Sequence, residues 1–215
     1  GEPLYQDVES VLHRNCPGVQ VVGGRYGLAS KDTTPGQIVA VYDNLKSEAP
    51  KNDFTIGIVD DVTFTSLPYK EVSIPKEGET SCKIWGIGGD GTVGANKNTI
   101  TTIGLAADMY AQAYFSYDSK KSGGLTQSHL RFGKNPIRSP YMVNSADFVA
   151  LHEPSYLGQY DVTADLKDGG TFLLNCSWSD ADLPSHIPGK MKRDLAKKHT
   201  EMYVIDATAI AREIG

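Results

Sequence analysis

From Cys82 onward, short apolar runs of strand length alternate with stretches whose apolar residues recur at helical spacing. The strand candidates are "CKIWGI", "DMYAQAYFSYDS", "LTQSHLRF", "DFVALH", "GTFLLNC" and "EMYVID". Helical patterns fall between them, among them "TVGANKNTITTIGLAA" and "PGKMKRDLAKKH". In the second run Met109, Ala111, Ala113, Phe115 and Tyr117 share the two-residue period of a strand, whereas Val93, Ile100, Ile103 and Ala107 lie close to one helical face. Strands and helices in alternation bury their apolar sides against each other, so the expected class is α/β: a three-layer, mostly parallel sheet, with 126–131 antiparallel.

The first 65 residues carry a shorter version of this order. Residues 4–13 have helical spacing, 19–22 is a β-branched run, "TTPGQIVAVYDNLKS" opens on Thr34 and Pro35, and "DFTIGIVDD" supplies a second strand. Threonine followed by proline is a helix start, because the hydroxyl accepts from a first-turn amide and proline has no N–H to leave unpaired. Helix, strand, helix, strand is a small α/β segment, too little for a domain with its own core. "TSLPYKEVSIPKEGETS" reads as a connector. The expected division is a segment at 1–65, a linker at 66–81 and a domain at 82–215.

The charge balance, 21 Lys+Arg against 26 Asp+Glu for a net −5, argues against non-specific nucleic-acid binding, which needs a basic surface. No apolar stretch approaches the ~20 residues that cross a bilayer. Cys16, Cys82 and Cys176 form neither a C-x-x-C nor a zinc spacing, and read as thiols of a reducing cytoplasm. The histidines form no spaced pair, and no serine sits in a G-x-S-x-G elbow. No catalytic residue and no metal ligand is expected here.

One loop points to chemistry. "KIWGIGGDGTVGANK" contains G-x-G-x-x-G in Gly86, Gly88 and Gly91. A strand that enters a tight turn and then a helix aims backbone N–H groups and the positive helix end at one spot, which is an anion site by geometry. A dinucleotide site would also place an acid at the end of the next strand, about 20 residues on. Asp108 precedes that strand, Asp118 comes too late, and Asp90 inside the loop would repel a pyrophosphate, so an NAD site is the weaker reading. The glycines also suit a ligand-free turn with close strand–helix packing. "YDSKKSGG", at 117–124, puts two lysines after the next strand, where ligand crevices of open α/β sheets lie; its plain alternative is a solvated turn. His129, Arg131, Lys134 and Arg138 form a second candidate positive patch, and "HEP" at 152–154 a candidate acid–base pair or simply a strand end.

Five long words in order, "GRYGLASKDTTPGQIVAVYDNL", "FTIGIVDDVTFTSLP", "GGDGTVGANKNTI", "DMYAQAYFSYDSKKSGGLTQSHLRFGKNPIRSPY" and "GGTFLLNCSW", resemble the pyruvate:ferredoxin (flavodoxin) oxidoreductases almost end to end. The resemblance implies a parent enzyme that decarboxylates pyruvate on thiamine diphosphate and magnesium. Its [4Fe–4S] clusters pass electrons to ferredoxin or flavodoxin, and its acetyl group goes to coenzyme A. By the same resemblance, residues 1–65 end a transketolase-C-like domain and 82–215 belong to a gamma-type domain that contributes to coenzyme A binding. The roles carry over to Gly89, Asp90, Gly91, Thr92 and Val93 in the loop and to Lys121 in "SKKSGG". Asp90 then accepts hydrogen bonds either from the ligand or from the loop's own amides.

"GGDGTVGAN" is superficially similar to a thiamine element with Asp90 as magnesium ligand, but in this family it falls in the gamma-type domain. Three scattered cysteines cannot hold a cluster. The chain is thus expected to be a piece of a cytoplasmic, homodimeric enzyme, inactive alone, with the remaining domains and a ferredoxin or flavodoxin as partners. Neither nucleic acid nor membrane is expected as a partner. The alternatives are a purely structural interdomain module and a free-standing nucleotide-binding domain, which would bind nucleotide tightly by itself.

Overall fold

The computed structural model describes residues 2–74, 76–119 and 122–214. The chain divides into two compact units, Gly1–Ile74 and Pro75–Gly215.

In the first unit, helix α1 (Pro3–Asn15) precedes a two-residue strand β1 (Gly24–Arg25), and helix α2 (Pro35–Lys46) precedes β2 (Phe54–Thr55), which pairs with β1 in parallel. The Thr34 hydroxyl accepts from the Gln37 amide and Pro35 opens α2, as the sequence requires. The β-branched run 19–22 is not a strand. Pairing starts two residues later, because a side chain at Gly24 would lie 2.2 Å from the Phe54 ring, and only glycine lets the two chains close. Val22 instead packs against the small core of Phe54, Ile56 and Leu67.

The second unit is built on a six-stranded sheet in the order β4-β5-β3-β6-β7-β8. The strands are β3 (Glu79–Ile87), β4 (Tyr110–Tyr117), β5 (Leu125–Gly133), β6 (Ala146–Leu151), β7 (Leu166–Asn175) and β8 (Glu201–Ile205). β5 runs antiparallel to both neighbours, β3 and β4, and the other pairs are parallel, so the antiparallel placement of 126–131 holds.

Alternation along β3 assigns the layers. Cys82 and Ile84 join Leu130, Ala150 and Ile100, the last from helix α3 (Thr92–Ala106), on one face. Trp85 joins Val149, Leu151, Phe172 and Leu174 on the other. Helix α4 (Leu183–His186) and helix α5 (Gly189–Lys197) follow, and α5 covers that second face with Met191 and Leu195. Helix α6 (Ala207–Ile214) follows β8.

The Trp85 face also buries a strip of charge. Lys83 pairs with Asp165 at 2.5 Å and lies 4.8 Å from the Trp85 ring centre. Opposite Lys83 in the register stands His129, 2% exposed, whose Nδ1 accepts from the Val143 amide at 3.1 Å. Arg131, 5% exposed, donates to the Tyr141 carbonyl at 2.8 Å and lies 3.6 Å from Glu79. Lys134 donates to the carbonyls of Ala107 and Asp108 at the end of α3. The candidate positive patch is therefore split: His129 and Arg131 are buried, while Lys134 and Arg138 stay exposed. Because Leu130 is claimed by the α3 face, His129 and Arg131 must point to the opposite one, and residues 134–145 close over them.

Candidate functional site

The chain leaves β3 for one side of the sheet, to β4 and β5, and returns to the other at β6, so the order reverses at the carboxyl ends of β3 and β6. Such a switch point opens a crevice, and side chains or loops that follow the strands line it.

The glycine turn lies there. Gly89 and Gly91 have φ of 99° and 84°, in the left-handed region that favours glycine, and Gly91 is the residue from which α3 starts. The Asp90 amide donates to the Ile87 carbonyl at 3.0 Å, which closes the turn. The Asp90 carboxylate is committed on both oxygens, accepting from the Ile87 amide at 2.9 Å and from the Thr92 amide at 2.8 Å. Of the two roles open to Asp90 in the sequence, the geometry fills the second: it binds the loop's own amides. A helix has no internal acceptors for its first-turn amides, and Asp90 takes only that of Thr92.

The lysine–glycine turn between β4 and β5 is joined to this loop. The Gly88 amide donates to the Gly124 carbonyl at 2.7 Å, and the Gly123 amide donates back to the Gly88 carbonyl at 3.0 Å. Two turns distant in sequence thus form one rim. Lys121 itself lies outside the described residues.

β6 and β7 supply the rest of the rim. The His152 amide donates to the Trp85 carbonyl at 2.9 Å; burial pushes the imidazole pKa down, and the Asp90 carboxylate acts against that. Glu153 accepts from the Ser155 amide at 3.0 Å and caps the single turn Pro154–Gly158, so "HEP" ends a strand and starts a turn. In that turn Tyr156 meets Tyr160 edge-on at 5.2 Å, and Tyr160 lies 5.9 Å from Trp85. Burial raises the Tyr156 hydroxyl pKa, helped by Tyr160, Glu153, Asp90 and Asp118. At the end of β7, Asn175 accepts from the Ala207 amide at 3.0 Å, at the first turn of α6.

Tyr156, Tyr160 and Asn175 were not singled out in the sequence, although each follows or ends a strand that was. Each Asp90 oxygen accepts one amide, so any further ligand on this carboxylate would share it with the turn that it holds. Cys82 lies deeper, within β3, and burial raises its thiol pKa to about 12, so it is no nucleophile.

A family model described as pyruvate ferredoxin/flavodoxin oxidoreductase matches residues 81–215. The chain belongs to that family. The match contains both turns and the whole crevice. Among curated relatives, the pyruvate:ferredoxin oxidoreductase of Moorella thermoacetica is 55% identical over 216 residues, which cover 100% of this chain and 18% of that protein. The pyruvate-flavodoxin oxidoreductase of Klebsiella pneumoniae is 54% identical with the same coverage. The chain therefore spans under a fifth of the length of these relatives. The solved pyruvate oxidoreductase subunit PORC of Thermotoga maritima superposes with a TM-score of 0.49 at 19% identity, covering 64% of this chain and 67% of that one. Among the described residues, no helix of this chain is long and apolar enough to cross a membrane.

The commitment of Asp90 makes it a positioning residue of the turn. Asp90→Ala is expected to cost about 1–2 kcal/mol, the worth of exposed charge-assisted cap bonds, as read from urea unfolding of this chain. Asp90→Asn, which keeps one acceptor, is expected to cost about half as much.

Proposed function

We propose that this chain is the part of a pyruvate:ferredoxin or pyruvate:flavodoxin oxidoreductase that supplies one wall of its coenzyme A site. The observation that carries the reading is the pair of hydrogen bonds between Gly88 and the 123–124 turn, which puts the α3 amino end and the lysine–glycine turn on one rim at the switch point. Coenzyme A carries a diphosphate and a 3′-phosphate. Amides at a helix start suit such groups, and a lysine on a flexible stem is a point charge for them. Asp90 and Asp118 bring negative charge to the same rim, so a phosphate there needs a cation beside it. Lys121 is that cation in this reading, with Gly89, Gly91, Thr92 and Val93 forming the turn and Asp90 holding it.

The parent would convert pyruvate and coenzyme A to acetyl-CoA and carbon dioxide while reducing ferredoxin or flavodoxin. Thiamine diphosphate, magnesium and [4Fe–4S] clusters belong to its other domains. We assign 1–65 to the end of a transketolase-C-like domain, 66–81 to a linker and 82–215 to the gamma-type domain. The parent is read as a cytoplasmic homodimer.

The test is Lys121→Ala in the full-length enzyme. The coenzyme A Michaelis constant is expected to rise about tenfold or more, as for loss of a charge-assisted phosphate contact, with the pyruvate Michaelis constant unchanged. An unchanged coenzyme A constant refutes the role.

A further inference from the structure

The loop at 59–64, after β2, holds three apolar side chains in water: Val59 is 89% exposed, Val62 80% and Phe64 73%. An exposed apolar loop is ordinarily mobile, with its backbone bonded to solvent. This one is tied internally. The Asp60 carboxylate accepts from the amides of Val62 (3.1 Å), Thr63 (3.0 Å) and Thr65 (3.3 Å) and from the hydroxyls of Thr63 and Thr65. The Asp60 amide donates to the Ser66 hydroxyl at 2.8 Å, and Lys51 donates to the Phe64 carbonyl at 3.0 Å.

Phe64 is held at a φ of 54°, a conformation that a bulky side chain rarely adopts. The bonds around it hold the ring out at that cost. An aromatic and two branched aliphatics on a preformed scaffold have the character of interface anchors, whose ordering cost is met before contact.

The relatives indicate where the receiving surface lies. They align with 100% of this chain, yet it makes up only 18% of their length, so they carry this loop inside one long polypeptide. A pocket on that same polypeptide faces the loop at high effective concentration, which a separate molecule lacks. The carboxylate of Asp60 is turned into the loop while that of Asp61 is exposed beside the three apolar side chains, so the loop calls for an apolar pocket with a polar rim. We propose that the 59–64 loop is an anchor that seats Val59, Val62 and Phe64 in an apolar pocket of another domain of the same polypeptide, outside residues 1–215.

Hydrogen–deuterium exchange on the full-length enzyme tests this, comparing the wild type with Phe64→Ser, Val62→Ser and the conservative Phe64→Leu. Phe64 is mostly in solvent within this chain and stands outside the Phe54, Ile56 and Leu67 core, so its truncation opens no cavity there. Either serine variant is expected to speed exchange about tenfold or more in a peptide outside residues 1–215, with the oligomer mass unchanged and Phe64→Leu close to wild type. Faster exchange confined to residues 51–66 would overturn the proposal. So would dissociation of the oligomer, which would mean that the loop seats in a second copy.

Discussion

Gly86→Val is expected to destabilise this chain by about 3 kcal/mol and Gly86→Ala by about 2 kcal/mol, with the loss centred on the glycine turn. A Cβ on Gly86 would lie 2.9 Å from the Asp90 carboxylate and 3.0 Å from both Cβ and Oγ1 of Thr92. β3 has no room to retreat, since Gly86 is paired with Thr126 of β5 and β6 binds the strand from the other side. The turn must yield instead, breaking the bonds of Asp90 to Ile87 and Thr92 and tilting the first turn of α3 out of the crevice. Gly91 gives the contrast. Among the described residues no atom beyond its own chain neighbours lies within 4 Å of a Cβ built there, so Gly91→Ala meets only the strain of its positive φ, about 1 kcal/mol. Urea unfolding of the three variants checks the ranking. Equal effects of Gly86→Ala and Gly91→Ala would show that the fold of Asp90 and Thr92 over β3 is not what requires glycine at 86.

Acidification should destabilise the second unit well before its carboxylates are titrated, and His129 is the reason. Burial, then Lys83 and Arg131, lower its pKa from 6.5 to about 3. In the unfolded chain the imidazole takes up a proton as the pH falls below 6.5, while in the folded chain it stays neutral down to about 3. Across that window the unfolded state binds more protons, so stability falls with falling pH, by up to about 1.4 kcal/mol per pH unit from this group. Above pH 6.5 it contributes no slope. His129→Asn keeps an acceptor for the Val143 amide and removes the titration. Its stability between pH 7 and pH 4 is expected to slope less than wild type by nearly that amount. Parallel slopes would mean that His129 is protonated in the folded chain.

Much of the second unit was legible because its information is local. The glycine turn between strand and helix appears where expected, and the strand parity and helical stripe hold at Ala113, Phe115 and Ile100, which pack on one core; Met109 and Ala107 fall outside their elements, and Ala111 and Tyr117 are exposed. β5 is antiparallel to β4 because residues 118–124, which connect them, are too few for a parallel crossover. The inner charged strip was not legible, because parity shows that residues 129 and 131 share a face but not that the face is covered. A loop remote in sequence, reaching back through Val143 and Tyr141, decides that. The run 19–22 misled because β-branching signals burial, and Val22 is half-buried by packing rather than by pairing. In the candidate site, the residues that hold the turn bond to backbone amides, which leave no pattern in the sequence beyond an aspartate just before a helix.

A structure of the full-length enzyme with coenzyme A bound tests the site most directly. The expected result is a coenzyme A phosphate oxygen within hydrogen-bond distance of an amide in 89–93 and of the Lys121 ammonium, with the Asp90 carboxylate still on the Ile87 and Thr92 amides. Coenzyme A phosphates held wholly by residues outside both turns would contradict it.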